Sequence, residues 1–127
     1  MAEQTIKKLI SQGKNIKDAR ILLLGVTFKE NCPDVRNTKV TDIGAELEKY
    51  GVRMTYSDPW VTNEDWNSLN VHHVDYQSIE ENSFDAVIVA VNHADFIGKD
   101  DRINSFCTES KVIIDVKGAL LNPDWRL

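Results

Sequence analysis

The chain has little cysteine, no paired-glycine loop, few histidines and no surplus of basic charge, and each shortage excludes something. Two cysteines, Cys32 and Cys107, are too few for a secreted disulfide framework. The dinucleotide fingerprint Gly-x-Gly-x-x-Gly is absent. Gly25 is followed by Val26-Thr27-Phe28-Lys29, so the backbone cannot approach a pyrophosphate as a glycine loop would. Of the 3 histidines, His72 and His73 are adjacent and would point to opposite faces of a strand, while His93 stands apart, so no metal site is expected. No apolar run approaches a membrane span and no signal peptide opens the chain, which points to the cytoplasm. Lysine and arginine number 15 against 20 acidic residues, a net charge of −5. That balance argues against nucleic acid or an anionic membrane as a partner, since both need a broad basic face. It leaves room for a local basic pocket that takes a phosphate. There is no internal repeat, low-complexity stretch or obvious linker.

What is present is a folded domain of ordinary size: 127 residues, 42% hydrophobic and 28% charged. The stretch Ile21 to Arg36 organises it. Four apolar residues, Ile21-Leu22-Leu23-Leu24, break at Gly25 into a polar loop carrying Lys29 and Arg36, and a helical pattern follows at once. A buried strand that ends in a loop with two cations ahead of a helix is a plausible anion site.

The first strand is expected over Arg20–Val26, where a continuous apolar run implies burial on both faces, as in a parallel sheet. Thr38–Tyr50 reads as a helix, with Val40, Ile43, Leu47 and Tyr50 at helical spacing, Asn37 or Thr38 as cap and Gly51 as terminator. Val52–Ser57 is the second strand, stopped by Asp58-Pro59, and Glu64–Leu69 a short helix. Val71–Val74 is a weak third strand at an edge, and Ile79–Asn82 one helical turn. Asp85–Val91 is a strong fourth strand. Ala94–Phe106 is helical, with Phe96, Ile103 and Phe106 inward and Gly98 weakening its middle. Lys111–Val116 is the fifth strand, and a tail follows from Gly118. Ahead of all this, Met1–Ser11 has Ile6, Leu9 and Ile10 on one helical face and Gly13 as a C-cap. Such a helix could cover a sheet face, form a dimer surface, or end a longer helix from another domain; we favour the last.

Strands alternating with helices imply right-handed crossovers and a parallel sheet. The expected fold is α/β: a Rossmann-like three-layer αβα sandwich, mostly parallel, with strand order 3-2-1-4-5 and an N-terminal helix. Ligands of such sheets sit beyond the carboxyl ends of the strands. The residues expected there are Thr27 to Arg36, Asp58, Asn92-His93 and Lys117-Gly118, so Lys29, Arg36 and Lys117 would face one crevice. Lysine suits a phosphate or sugar oxygen as a point charge, and an arginine fork suits a pyrophosphate. The competing reading is that both loop cations are solvated, with Arg36 paired to Asp34 or Asp42. A signalling receiver domain fits the length and alternation, but it needs an acidic pair after the first strand, where Gly25-Val26 stands.

Several segments carry a family pattern. Gly25-Val26-Thr27-Phe28-Lys29, followed after four residues by Asp34-Val35-Arg36-Asn37-Thr38, resembles the motif that opens the C-terminal domain of the UDP-glucose/GDP-mannose dehydrogenase family. Tyr56-Ser57-Asp58-Pro59, Asp85 through Val91, and Ile114-Asp115-Val116-Lys117 resemble its later motifs, in the right order over nearly the whole chain. The wording Glu30-Asn31-Cys32-Pro33-Asp34-Val35-Arg36-Asn37 looks most like the branch acting on UDP-N-acetylhexosamines, the 6-dehydrogenases of surface-polysaccharide synthesis.

The resemblance implies the following. Residues 1–15 are the end of an interdomain helix, and residues 16–127 are the UDP-sugar-binding C-terminal domain of a longer enzyme. Such enzymes oxidise the C6 alcohol of a UDP-hexose or UDP-N-acetylhexosamine to the uronate in two NAD-dependent steps. NAD is bound mainly by an N-terminal domain outside this chain, and the full enzyme is a homodimer. Phe28 and Lys29 would contact the sugar nucleotide, and Arg36 would approach the NAD side of the cleft. Lys117 lies where many members carry an arginine that reaches the substrate. The catalytic cysteine belongs to a region outside this chain, so Cys32, at a variable loop position, is not the nucleophile. The isolated domain would be inactive and bind NAD very weakly. The alternative is a free-standing nucleotide-sensing or regulatory module without catalysis.

Overall fold

In a computed structural model of the protein, residues 2–36 and 38–126 are described. They form a five-stranded, all-parallel sheet in the order β2-β1-β3-β4-β5, with β1 Arg20–Leu24, β2 Arg53–Ser57, β3 Phe84–Val89, β4 Cys107–Asp115 and β5 Trp125–Arg126. Around it lie α1 Ala2–Ser11, α2 Val40–Glu48, α3 Asn63–Leu69 and α4 Asp100–Ser105. No helix among the described residues is long and apolar enough to cross a membrane.

Strand periodicity sorts the interior into two cores. Ile21 and Leu23 of β1 and Ala86 and Ile88 of β3 join Ile6, Leu9 and Leu47 from α1 and α2 on one face. Leu22, Leu24, Val87 and Val89 join Tyr76, Phe96, Ile103 and Phe106 on the other. Successive strand residues point to opposite faces, so an unbroken apolar run is what a strand covered on both sides requires. This is the expected three-layer arrangement.

The sheet departs from expectation at its edges. The third strand is reduced to one parallel bridge, His73 to Tyr56. There the Tyr56 N–H donates to the His72 carbonyl (2.9 Å) and the Val74 N–H to the Tyr56 carbonyl (3.0 Å). The His73 ring lies flat on Trp66 of α3, 4.5 Å between centroids, so side-chain stacking secures this segment where a ladder would otherwise run. It occupies the outer side of β2, where strand order 3-2-1-4-5 put it. At the opposite edge the tail adds β5 beside β4.

Local chemistry moved other boundaries. Gly98 adopts φ +67° and separates a turn from α4, so the helix expected from Ala94 starts at Asp100. Phe96, Ile103 and Phe106 are nonetheless fully buried. The helical turn expected at Ile79–Asn82 lies earlier, as a 3-10 turn over Tyr76–Ser78. α2 begins at Val40, whose N–H donates to the Thr38 hydroxyl (3.3 Å); the alternative cap, Asn37, lies outside the described residues. Gly44 in α2 touches Tyr56 of β2 so closely that a Cβ there would lie 1.6 Å from the phenol oxygen.

The N-terminal helix is firmly packed. Thr5, Ile6 and Leu9 are buried and Ala2 lies against the same core. Ile10, grouped with that face by spacing, is instead 60% exposed. After Gly13, at φ +74°, Lys14 reaches across to β3 and β4.

Candidate functional site

Beyond the carboxyl ends of β1, β3 and β4 lies a cleft of about 420 Å³. Val40, Ile43, Val91 and Val116 give it apolar walls, and Lys29, Lys39 and Lys117 bring positive charge, with Glu30 as the acid beside them. Lys29 and Lys39 come from two points on the connection between β1 and α2, the second directly ahead of the helix, and Lys117 from the residue two beyond β4. Among the described residues none of the three makes an ion pair. Phe28, 58% exposed, stands at the same rim.

The loop carrying Phe28 and Lys29 is held by a buried polar hub. Asp58, just past β2, is buried, and its Oδ2 accepts from the Val26 N–H (2.8 Å), the Thr27 N–H (3.3 Å) and His93 Nε2 (2.9 Å). Its Oδ1 accepts from the Trp60 N–H at 2.8 Å. His93 Nδ1 accepts from the Asn31 N–H (2.9 Å), which sets the ring proton on Nε2, facing Asp58 and the Thr27 hydroxyl (3.0 Å). That hydroxyl in turn donates to the Lys29 carbonyl at 2.9 Å. Asn31, at φ 52°, closes the circuit by accepting the Ala94 N–H on its Oδ1 (2.8 Å). Trp60 stacks on the outer face of His93, 5.7 Å between centroids. A buried carboxylate survives only when its lone pairs are met, and here four donors from three strand ends meet them. The arrangement ties the loop after β1 to the ends of β2 and β3.

Arg36 stands apart from the cleft lining. Its side chain is 85% exposed and forms a two-point fork with Asp34, Nε to Oδ1 at 3.0 Å and Nη2 to Oδ2 at 3.1 Å. That hydrogen bonding holds the Asp34 carboxyl below its ordinary range and raises the guanidinium further. The Phe28 N–H donates to the Asp34 carbonyl (2.7 Å), so the fork sits at the neck of the loop.

The expected crevice residues thus separate into two groups. Thr27 to Glu30, Asn92 and Lys117 line the cleft, while Asp58 and His93 lie behind it as support. His93, expected at the crevice, is a fully buried histidine hydrogen-bonded on both ring nitrogens. Lys39 was missed because the helix expected from Thr38 placed it inside the first turn, whereas α2 starts at Val40. Asn31 was passed over because its role depends on a contact 62 residues away. Cys32 is half-buried and Cys107 buried, and no cluster among the described residues could hold a metal.

A larger depression, about 680 Å³, lies toward the amino end of β2, bordered by Asp18, Arg20, Glu48, Arg53 and His72. Its charges are mixed and Arg53 is paired with Asp18 at 3.3 Å, so it has neither the position nor the unmet charge of the cleft.

Gly25, at φ +95°, has no room for a side chain because Val91 would lie 2.8 Å from its Cβ. This glycine lets the chain beyond β1 and the chain beyond β3 touch.

The profile of the UDP-glucose/GDP-mannose dehydrogenase family, UDP binding domain, matches residues 22–122. Among curated proteins, the chain is 38% identical over 122 residues to a UDP-N-acetyl-D-glucosamine 6-dehydrogenase of Salmonella typhi, covering 94% of this chain and 28% of that protein. It is 36% identical to Protein CapL of Staphylococcus aureus, covering all of this chain and 31% of that protein. The chain therefore spans less than a third of the length of these relatives. Among solved structures, a UDP-D-ManNAc dehydrogenase from Pyrococcus horikoshii superposes with a TM-score of 0.68 at 21% identity, over 98% of this chain and 29% of that one. The UDP-N-acetyl-mannosamine dehydrogenase Cap5O from S. aureus gives 0.63 at 18% identity, over 98% of this chain and 30% of that one.

Proposed function

This chain belongs to the UDP-glucose/GDP-mannose dehydrogenase family, as its UDP binding domain, and we propose that it is the sugar-nucleotide-binding part of a longer NAD-dependent 6-dehydrogenase. The substrate is a UDP-N-acetylhexosamine, whose C6 alcohol is oxidised to the carboxylate in the cytoplasm for surface-polysaccharide synthesis. The observation that carries the reading is the cleft itself: unpaired lysines converging beyond the strand ends of a chain whose net charge is −5. A diphosphate is the ligand chemistry such a site would attract.

In this reading Lys29 holds the sugar nucleotide, Phe28 covers its apolar face, and Lys117 reaches it from the opposite wall. NAD supplies the hydride acceptor and is held mainly by the N-terminal domain, because this chain has no glycine loop for it. Arg36 faces the NAD side of the cleft. The catalytic cysteine belongs to the missing region, and the chain alone turns over no substrate. The full enzyme is a homodimer.

The test is Lys29→Ala in the full-length enzyme. A lysine that only holds phosphate raises KM, and one that also touches the reacting sugar lowers kcat too. Both effects are expected, with kcat/KM for the sugar nucleotide falling roughly 10²-fold, about 3 kcal/mol, the scale of a charge-assisted hydrogen bond lost from a dry site. In the same assay Arg36→Ala raises chiefly the KM for NAD. Normal melting with wild-type kinetics in both variants would show that these are solvated loop charges and overturn the assignment.

A further inference from the structure

We propose that Lys39 is a third phosphate-binding residue of the cleft, gripping the diphosphate of the ligand together with Lys29 and Lys117. This rests on the reading of the cleft as the sugar-nucleotide site. Three observations on the residue itself lead there.

The first is convergence. Lys39 lines the same cleft of about 420 Å³ as Lys29 and Lys117, and reaches it from the far end of the β1–α2 connection, ten residues beyond Lys29, as the residue that caps α2. The second is the lack of a partner. Lys7 is answered by Glu3, Lys14 by Asp85 and Lys49 by Glu46, whereas Lys8, Lys17 and Lys99 have no ion pair among the described residues but lie outside this cleft. Lys39 has no ion pair among the described residues. With Glu30 as the cleft's acid, the three lysines leave two positive charges uncompensated. A sugar nucleotide joined through a diphosphate carries two negative charges at neutral pH, so the cleft and ligand match in charge.

The third is local cost. Lys39 occupies the N-cap of α2 and makes no side-chain capping bond. That position favours Asn, Asp or Ser, whose oxygens accept the free N–H groups, and the helix dipole repels a cation there. A residue that is unfavourable for its own helix, placed on the wall of a cleft with two other unpaired lysines, is what a binding role at the expense of local stability looks like.

The experiment is an NMR titration of this 127-residue chain with UDP and separately with uridine, following the backbone amides of Thr27, Val91 and Val116 at the cleft. Wild type, Lys39→Gln and Lys39→Arg are compared, and each spectrum also reports whether the variant is folded. In wild type, UDP shifts the cleft amides. Lys39→Gln weakens UDP roughly tenfold, as loss of one charge-assisted contact at a partly solvated site would. Lys39→Arg restores most of that affinity, and uridine, lacking phosphate, is bound equally by all three. A residue with a merely structural role would alter uridine and UDP alike and would not be rescued by charge. UDP binding at the cleft with equal affinity in wild type and Lys39→Gln overturns the proposal and leaves the cleft reading intact. UDP that shifts no cleft amide in wild type overturns both.

Discussion

The two ends of the sheet use charge in opposite ways. At the amino end, Lys14 is only 12% exposed and fully engaged, its Nζ 3.2 Å from Asp85 Oδ1 and 2.9 Å from the Thr108 hydroxyl. The other Asp85 oxygen accepts the Arg20 N–H at 2.8 Å. The lysine acts as a strut between the segment after α1 and the starts of β3 and β4. At the carboxyl end the cleft lysines are exposed and, among the described residues, without an ion pair, while the buried acids Asp58 and Asp115 are met by donors of their own chain. Rigidity and ligand charge are thus carried by different residues. The hub holds the loop in place, and the lysines remain available for an anion.

The largest effect expected from breaking this division is at Asp58. Asp58→Ala leaves the N–H groups of Val26, Thr27 and Trp60 and the His93 ring without their acceptor, and should cost about 3–5 kcal/mol of stability, the scale of a broken buried charge network. Urea denaturation measures it, and Asp58→Asn, which keeps one oxygen, should lie between. A loss under about 1 kcal/mol would mean the hub does not hold the loop.

Lys14 gives the mirror image of Lys29. Lys14→Ala should lower stability by about 1–2 kcal/mol, since it removes a part-buried charged hydrogen bond, and leave UDP binding unchanged. Lys29→Ala should do the reverse, because an exposed unpaired cation contributes little to folding. If Lys14→Ala weakened UDP as much as Lys29→Ala did, the contrast between the ends would fail.

The smallest effect concerns Tyr56, between the two ends, where β2 presses on α2. Burial, aided by the nearby Glu48 charge, pushes its phenol up to about 12 from an ordinary 10.0. The folded state therefore holds this proton more tightly than the unfolded chain. Its contribution is fully present below about pH 10 and is lost as pH rises toward 12. Denaturation midpoints of wild type should fall more steeply than those of Tyr56→Phe across that window. Parallel curves would show that the phenol ionises without resistance.

Some of this protein was legible residue by residue. The apolar run at Ile21–Leu24 and the one at Ala86–Val89 determined strands covered on both faces, because only burial on two sides tolerates no polar alternation. Alternation of strands and helices then determined a parallel sheet, and with it the end at which Lys29 and Lys117 would lie. Gly98 carried the warning that its helix would break.

Other features depended on contacts distant in sequence. The Val71–Val74 segment became a single bridge because Trp66 stacks on His73, which no local pattern announces. Ile10 was left exposed because the rotation of α1 follows from what Leu9 and Ile6 meet on the sheet and α2. Asp58 and His93 could be placed near the crevice from sequence, but only their hydrogen bonds to Val26, Thr27 and Asn31 show that they stand behind it. Lys39 joined Lys29 and Lys117 only when the start of α2 folded against the strand ends. Periodicity acts within a segment and is written along it. Lys7 with Glu3 and Lys49 with Glu46 pair within one turn and could be read along the chain, but Lys14 meets Asp85 only through space, so its burial and the gathering of the cleft lysines were decided by the tertiary structure.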